Sequence, residues 1–420
     1  MNNILSIKNI IPTMLWVIIM FLYIYEFNLS VFGLPTFLTT RRTVVFLLLV
    51  WFFMSKQRNN EFNVFKGTEI GNRIKKISKM QIFLLFYSFF LIALVGRGSG
   101  THISDCVIRL LLFGLLPSFL FYSLIRDLDY FLKLILLATL VQSLFVIYSL
   151  IEPTFGIMLD ATFSLDEDYV TRHRTGYACG LACTTAPGCL RFSMGLLAAA
   201  YFAIKNKRLF DYAIYIFLTL VATMIARTGL LFGSIGLFVI IIASIKDDKF
   251  TSLFTVFLPL ILIGYFVVDY VASGGINEYF DFYRLKDLFE SGTDDNFFQD
   301  YLGGSDTVIP PLSLDTIIGI GTTSGVSGSG IEINVDGGFI RLYAAYGLIL
   351  AVIFYLNFFY NGVKICRYFN DRTVKMTLIY FLIIIFLGEV KEFTIYQQYM
   401  LSIFLAIAML SNKKNNQIEI

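Results

Sequence analysis

The stretch Ile333–Val352 reads INVDGGFIRLYAAYGLILAV. A polar, glycine-containing loop passes into a long apolar run, and Arg341 stands four residues past the turn. An ionisable side chain inside a membrane segment is costly and marks function by default. The rest of the chain decides whether this run is such a segment. Of its 420 residues 57% are hydrophobic and 15% charged, and the mean hydropathy is +0.73. A soluble domain is about half apolar and about a quarter charged. Apolar runs recur from end to end, so residues 1–420 are expected to form a single integral membrane domain.

A hydrocarbon core of about 30 Å takes roughly 20 apolar residues per helix. On that measure the chain is an all-α polytopic protein of about 12 spans, with 11 to 14 admissible. They begin near Ile10, Thr36, Met80, Ser104, Leu128, Pro187, Leu209, Thr228, Thr251, Gly337, Thr373 and Tyr396. The first run lacks the short core and cleavage site of a removable signal, so it reads as a span. The net charge of +3 implies no nucleic-acid partner, because the charges sort by side of the membrane.

Basic residues are retained on the cytoplasmic side. The connection holding Lys56, Arg58, Lys66, Arg73, Lys75, Lys76 and Lys79 is therefore expected inside, and alternation places both termini in the cytoplasm. Two large loops then fall outside, at 152–186 and 271–336. The second is too long for a simple connector. Its aromatic residues, among them Tyr279, Phe282, Tyr283, Phe297, Phe298 and Tyr301, have two readings: stacking on sugar rings, or holding the loop against the membrane surface.

Sorted by side, the inside carries 15 Lys and 6 Arg and the outside 2 Lys and 10 Arg. Topology needs only charge, whereas arginine adds a planar fork that pairs with phosphate or carboxylate through two hydrogen bonds. Four spans expected to run inward carry an arginine near their outer N-terminus: Arg109, Arg191, Arg227 and Arg341. A helix N-terminus favours anions through its free amides and dipole. One reading is an anionic ligand on the outer side; the other is snorkelling to lipid headgroups.

Three stretches carry a resemblance. MIARTGLLFGSIGLF (Met224–Phe238) resembles an arginine-bearing helix start of the O-antigen polymerases of the Wzy type and the related O-antigen ligases. DTIIGIGTTSG followed by DGGFIRLYAAYGLILAVIFY resembles those families' approach to the helix after the large periplasmic loop. YVTRHRTGYACG with APGCLRF is similar to their earlier outer loop. The resemblance implies a GT-C-like membrane glycosyltransferase in a bacterial inner membrane, with its large loops in the periplasm. It implies polymerisation of undecaprenyl-diphosphate-linked oligosaccharide repeat units into a surface polysaccharide such as O-antigen. A chain-length regulator and a lipid-sugar flippase would be its partners, beside membrane lipids. Ligases place a histidine where the large loop meets the next helix; here that place reads Asn334–Gly337, which favours polymerase over ligase.

Such a transfer needs fixed cations for the leaving diphosphate and a base for the attacking hydroxyl. Arg341, Arg227 and Asp336 are the catalytic candidates, with Glu332, Asp315, Asp166, Glu167, Asp168 and His173 as the other bases the outer loops offer. Arg191, Arg174, Arg172, Arg109, His173 and Lys391 are candidates for holding diphosphate or sugar. Asp336 has a second reading as a helix cap. Lys391 has one as the partner of Glu389 or Glu392 in an ion pair that closes a cavity. No metal and no cofactor is expected: no nucleotide motif is present, and Cys179, Cys183 and Cys189 match no metal spacing. An oxidising compartment would permit a disulfide between Cys179 and Cys183. A flippase that moves the lipid-linked sugar unchanged is the rival from another class; the charges at the outer helix ends, instead of midway through the bilayer, speak against it.

Overall fold

A computed structural model of the chain describes residues 7–27, 29–35, 38–54, 68–94, 108, 110–163, 185–244, 310, 312–321, 325–326, 332–333, 337–391, 394–395 and 398–418. The fold over these residues is helical, apart from a two-residue antiparallel ladder pairing Gly325–Val326 with Glu332–Ile333. Five helices are long and apolar enough to cross a bilayer: Glu69–Ala93, Leu128–Ser149, Pro187–Asn206, Leu348–Tyr368 and Arg372–Val390. Five shorter apolar helices accompany them. The chain is an all-α membrane protein. The span expected near Thr251 lies outside the described residues, as does most of the loop 271–336.

Contacts divide the chain into two units, Met1–Phe46 with Asp129–Asp294, and Leu47–Leu128 with Asp295–Ile420. The first contains α1 (Ile7–Ile24), a 3-10 turn (Leu29–Phe32) and the start of α2 (Thr40–Met54). The second receives α3 (Glu69–Leu94) and α4 (Leu116–Leu124). A π-turn at Leu111–Leu115 precedes α4. Pro117 supplies its cause, since proline lacks the amide hydrogen and its ring clashes with the carbonyl four residues back. The first unit resumes with α5 (Leu128–Ile151), α6 (Pro153–Phe163), α7 (Thr185–Asn206), α8 (Leu209–Ile225) and α9 (Arg227–Ser244). The second ends with α10 (Leu314–Ile318), α11 (Gly338–Tyr346), α12 (Leu348–Tyr368), α13 (Arg372–Lys391) and α14 (Gln398–Ile418).

In the first unit α7 is central, with 89% of its span buried. Its small residues allow this: a Cβ on Gly195 would lie 2.3 Å from the Thr139 methyl of α5, and Ala198, Ala199, Ala200 and Ala203 are buried. Without a hydrophobic drive between helices in lipid, such close approach supplies the packing energy. Polar contacts fix which helix ends lie together. Tyr130 of α5 donates to Thr13 of α1 at 3.4 Å, and Tyr201 of α7 donates to Asp129 at 2.6 Å, beside a Lys205–Asp129 ion pair. The beginnings of α1 and α5 therefore share a face with the end of α7, as an alternating path requires.

In the second unit α14 supplies the core, buried almost continuously from Tyr399 to Leu410. Residue Tyr399 begins a stretch that packs against α4 and the π-turn. Helix α3 begins at Glu69, eleven residues before the expected Met80. Thr68 accepts from the Gly71 amide at its start, and Glu69 pairs with Arg73 at 3.3 Å. The basic run Arg73–Lys79 thus rides on a helix that outlasts its apolar part, and is not a loop.

Candidate functional site

In the second unit the apolar run expected as one span from Gly337 is two helices. They meet at Gly347, whose φ of +88° and ψ of 160° belong to a region essentially reserved for glycine. A Cβ there would lie 2.1 Å from the Ile317 carbonyl oxygen. Gly319, with φ +111°, crosses the same point, where a Cβ would meet the Tyr346 carbonyl carbon at 2.6 Å. The break frees the Ala344 and Ala345 carbonyls, which accept instead from the Ile320 amide at 2.7 Å and the Gly321 amide at 3.1 Å. Irregular backbone at membrane depth is tolerated only where protein or a cavity satisfies it, and this segment does so.

The docking segment is itself held. Ser313 and Thr316 form a reciprocal capping box at the start of α10. Tyr87 of α3 donates to the Ile318 carbonyl at 2.6 Å, and Tyr343 of α11 to the Pro310 carbonyl at 3.3 Å. Two separate stretches, DTIIGIG and GGFIRLYAAYG, are thereby joined at one point. Arg341 lies on the short helix α11, half-buried, with its amide bonded to the Gly337 carbonyl at 3.0 Å.

The N-cap of α11 is Gly337 and makes no side-chain cap bond; Asp336 lies outside the described residues. Gly337 stands against the end of α13, where a Cβ would meet the Val390 carbonyl oxygen at 2.7 Å. One residue earlier, Glu389 is fully buried. It accepts from the Tyr355 hydroxyl at 2.6 Å and from the Ile395 amide, so it ties α13, α12 and the α13–α14 connection together. Lys391 is the last residue of α13, and its side chain is outside the described residues, as is Glu392. Glu389→Gln is expected to lose about 1–3 kcal/mol, because an amide nitrogen then faces one of two buried donors. Thermal unfolding of the purified protein measures this, and an unchanged midpoint would remove Glu389 from the scaffold.

In the first unit a second charged cluster closes the ends of α1, α2 and α7. Arg41 is 2% exposed and caps the end of α1, donating to the Tyr23 carbonyl at 2.9 Å and the Ile24 carbonyl at 3.4 Å. Cations suit a helix C-terminus. Its Nη1 pairs with Glu26 at 2.6 Å, and the Thr39 hydroxyl donates to the same carboxylate. Arg191, 6% exposed on the first turns of α7, donates to the Glu26 carbonyl oxygen at 3.2 Å. Burial pushes the Glu26 carboxyl up, but Arg41, Arg191, the Thr39 hydroxyl and Arg42 outweigh it and hold it below its ordinary value of 4.5. One carboxylate is thus set among three guanidinium groups.

Of the sequence candidates, Arg341 and Arg191 are each placed in a built environment. Arg227 is the first residue of α9, after a break at Ala226 where the chain is extended; its side chain is outside the described residues. Arg109, Arg172, His173 and Arg174 also lie outside them, with Cys179 and Cys183. Cys189 is buried, its thiol directed at the Ala222 carbonyl 3.5 Å away. Sequence reading missed Glu26 and Arg41 as partners; the available signal was an acid at the end of one apolar run and Arg41-Arg42 at the start of the next. Among the described residues no three His, Cys, Asp or Glu side chains come together as metal ligands. No protein-family model matches the chain, and no curated protein matches it.

Proposed function

We propose that the chain is a membrane-embedded glycosyltransferase that polymerises lipid-diphosphate-linked oligosaccharide repeat units at the outer face of a bacterial inner membrane. The observation that supports it most is the junction at Gly347, where the two stretches resembling the O-antigen polymerases fold against each other at the end of the short helix that carries Arg341. The reaction breaks the bond between the anomeric carbon of the growing chain and its diphosphate oxygen. A hydroxyl oxygen of the incoming unit takes that carbon and gives its proton to a base. In this reading Asp336 is the base, and Arg341 and Arg227 meet the charge gathering on the departing lipid diphosphate. The same reading assigns Arg191, Arg109, Arg172, His173, Arg174 and Lys391 to holding diphosphate or sugar.

A broken helix is also the device by which transporters build substrate sites, so a lipid-linked sugar flippase is the second reading. One experiment separates the two. In a strain deleted for this gene, polymerase loss leaves lipopolysaccharide core bearing a single repeat unit. Flippase loss leaves bare core with lipid-linked units trapped on the cytoplasmic face, and ligase loss leaves bare core with polymer accumulating on the lipid carrier. Complementation with Arg341→Ala is expected to lower polymer formation about 100- to 1000-fold, the cost of removing one charge-stabilising donor, at unchanged protein abundance. A full ladder from that variant would reduce Arg341 to an interfacial anchor.

A further inference from the structure

In the second unit a groove of about 510 Å³ runs along α12. Its volume lies in the ordinary range for ligand clefts. One end is aromatic: Phe339 stands 4.6 Å from Tyr355 and 5.7 Å from Phe386, and Phe359 stands 5.6 Å from Phe386, ring centre to ring centre. The other end carries Lys364 and Arg367, one turn apart on the same face of α12. Lys364 lies over the Tyr360 ring at 5.7 Å, and Arg73 lies over that ring at 5.8 Å. Arg73 is paired with Glu69 at 3.3 Å, whereas no carboxylate among the described residues pairs with Lys364 or Arg367. The groove is therefore graded from aromatic to cationic.

We propose that it is a binding site for an acidic glycerophospholipid, with one acyl chain over Phe339, Tyr355, Phe359 and Phe386 and the phosphate between Lys364 and Arg367. Three features select that occupant. Arg367 stands one residue before the end of the spanning helix Leu348–Tyr368, at headgroup depth. The groove's length along the helix, from Tyr355 to Arg367, is that of a chain entering the hydrocarbon, at about 1.5 Å per residue. The cationic end repels the ammonium of a zwitterionic lipid and attracts a net anion. A second copy is disfavoured, because two copies inserted the same way would set cation against cation at equal depth. The site does not rest on the proposed polymerisation, since its cations, Lys364 and Arg367, stand at the opposite end of α12 from α11 and Arg341.

The full chain, purified in neutral detergent, is offered dioleoyl-phosphatidylglycerol or dioleoyl-phosphatidylcholine, and retained lipid is counted by native mass spectrometry. Phosphatidylglycerol is expected to be retained preferentially. Each cation contributes about fivefold, so K364Q/R367Q loses roughly 30-fold of that preference. Leu356→Trp, at a groove-lining position 66% exposed, fills the groove and is expected to reduce retention of both lipids without changing their ratio. Equal retention of the two lipids by the wild-type chain overturns the proposal. So does a preference that survives K364Q/R367Q, which would make both cations plain interfacial anchors. A lipid-free dimer abolished by Leu356→Trp overturns it in favour of a second copy.

Discussion

Gly347→Ala is expected to destabilise the protein by about 2–6 kcal/mol, the sum of about 1–3 for the backbone region it would occupy and about 1–3 for crowding. The crowding is not relieved by a rotamer change, because the atom met at 2.1 Å is the Ile317 backbone oxygen. Relief requires the segment 312–321 to withdraw, which would strand the Ala344 and Ala345 carbonyls that it now satisfies. Gly33 provides the control: its φ is +73°, and a Cβ there would have nothing within 4 Å. Gly33→Ala should therefore cost only about 1–2 kcal/mol, the backbone part alone. Thermal unfolding in detergent compares the two, and equal midpoints would show that the Gly319–Gly347 crossing is not tight.

Glu26→Ala is expected to cost about 3–5 kcal/mol, because it leaves the deeply buried Arg41 beside Arg191 without the carboxylate between them. E26Q/R41M should recover most of that loss, since removing both members of a buried pair is often close to neutral. A double-mutant cycle measures the coupling, and additive losses would mean that the pair does not act as one. Acid should imitate the single change. The folded Glu26 carboxyl lies below its ordinary 4.5, so its contribution is complete above that value and is lost as pH falls through the lower folded value. Wild-type unfolding midpoints should therefore drop below about pH 4.5, with a smaller drop in Glu26→Gln.

Helix placement was legible because hydropathy reports burial in lipid directly. The starts expected at Leu128, Pro187, Leu209, Thr228 and Thr373 lie within two residues of the helices observed. What hydropathy cannot register is a change of backbone direction inside an apolar run. YAAYGLIL scores as one span, yet the φ of Gly347 is dictated by a segment that ends 26 residues earlier, at Gly321. Arg191 was legible as an arginine near a helix start. Its contact with Glu26 was not, because it joins residues 165 apart. Glu389 was legible only as a candidate ion-pair partner of Lys391; its hydroxyl partner Tyr355 is 34 residues away on another helix. Side-chain type was visible in each case; long-range pairing was set by packing.

The Glu26–Arg41 pair also bears on biogenesis. Both members belong to one hairpin, α1 with α2, and can meet before any later helix has been synthesised. Their opposite charges then enter the bilayer region as a matched couple, which lowers the cost that either would meet alone. Arg191 arrives with α7 and closes onto a turn in which Glu26 is already paired with Arg41. The order of synthesis thus matches the order in which charge can be buried: the pair forms first, and Arg191 is added when α7 is in place.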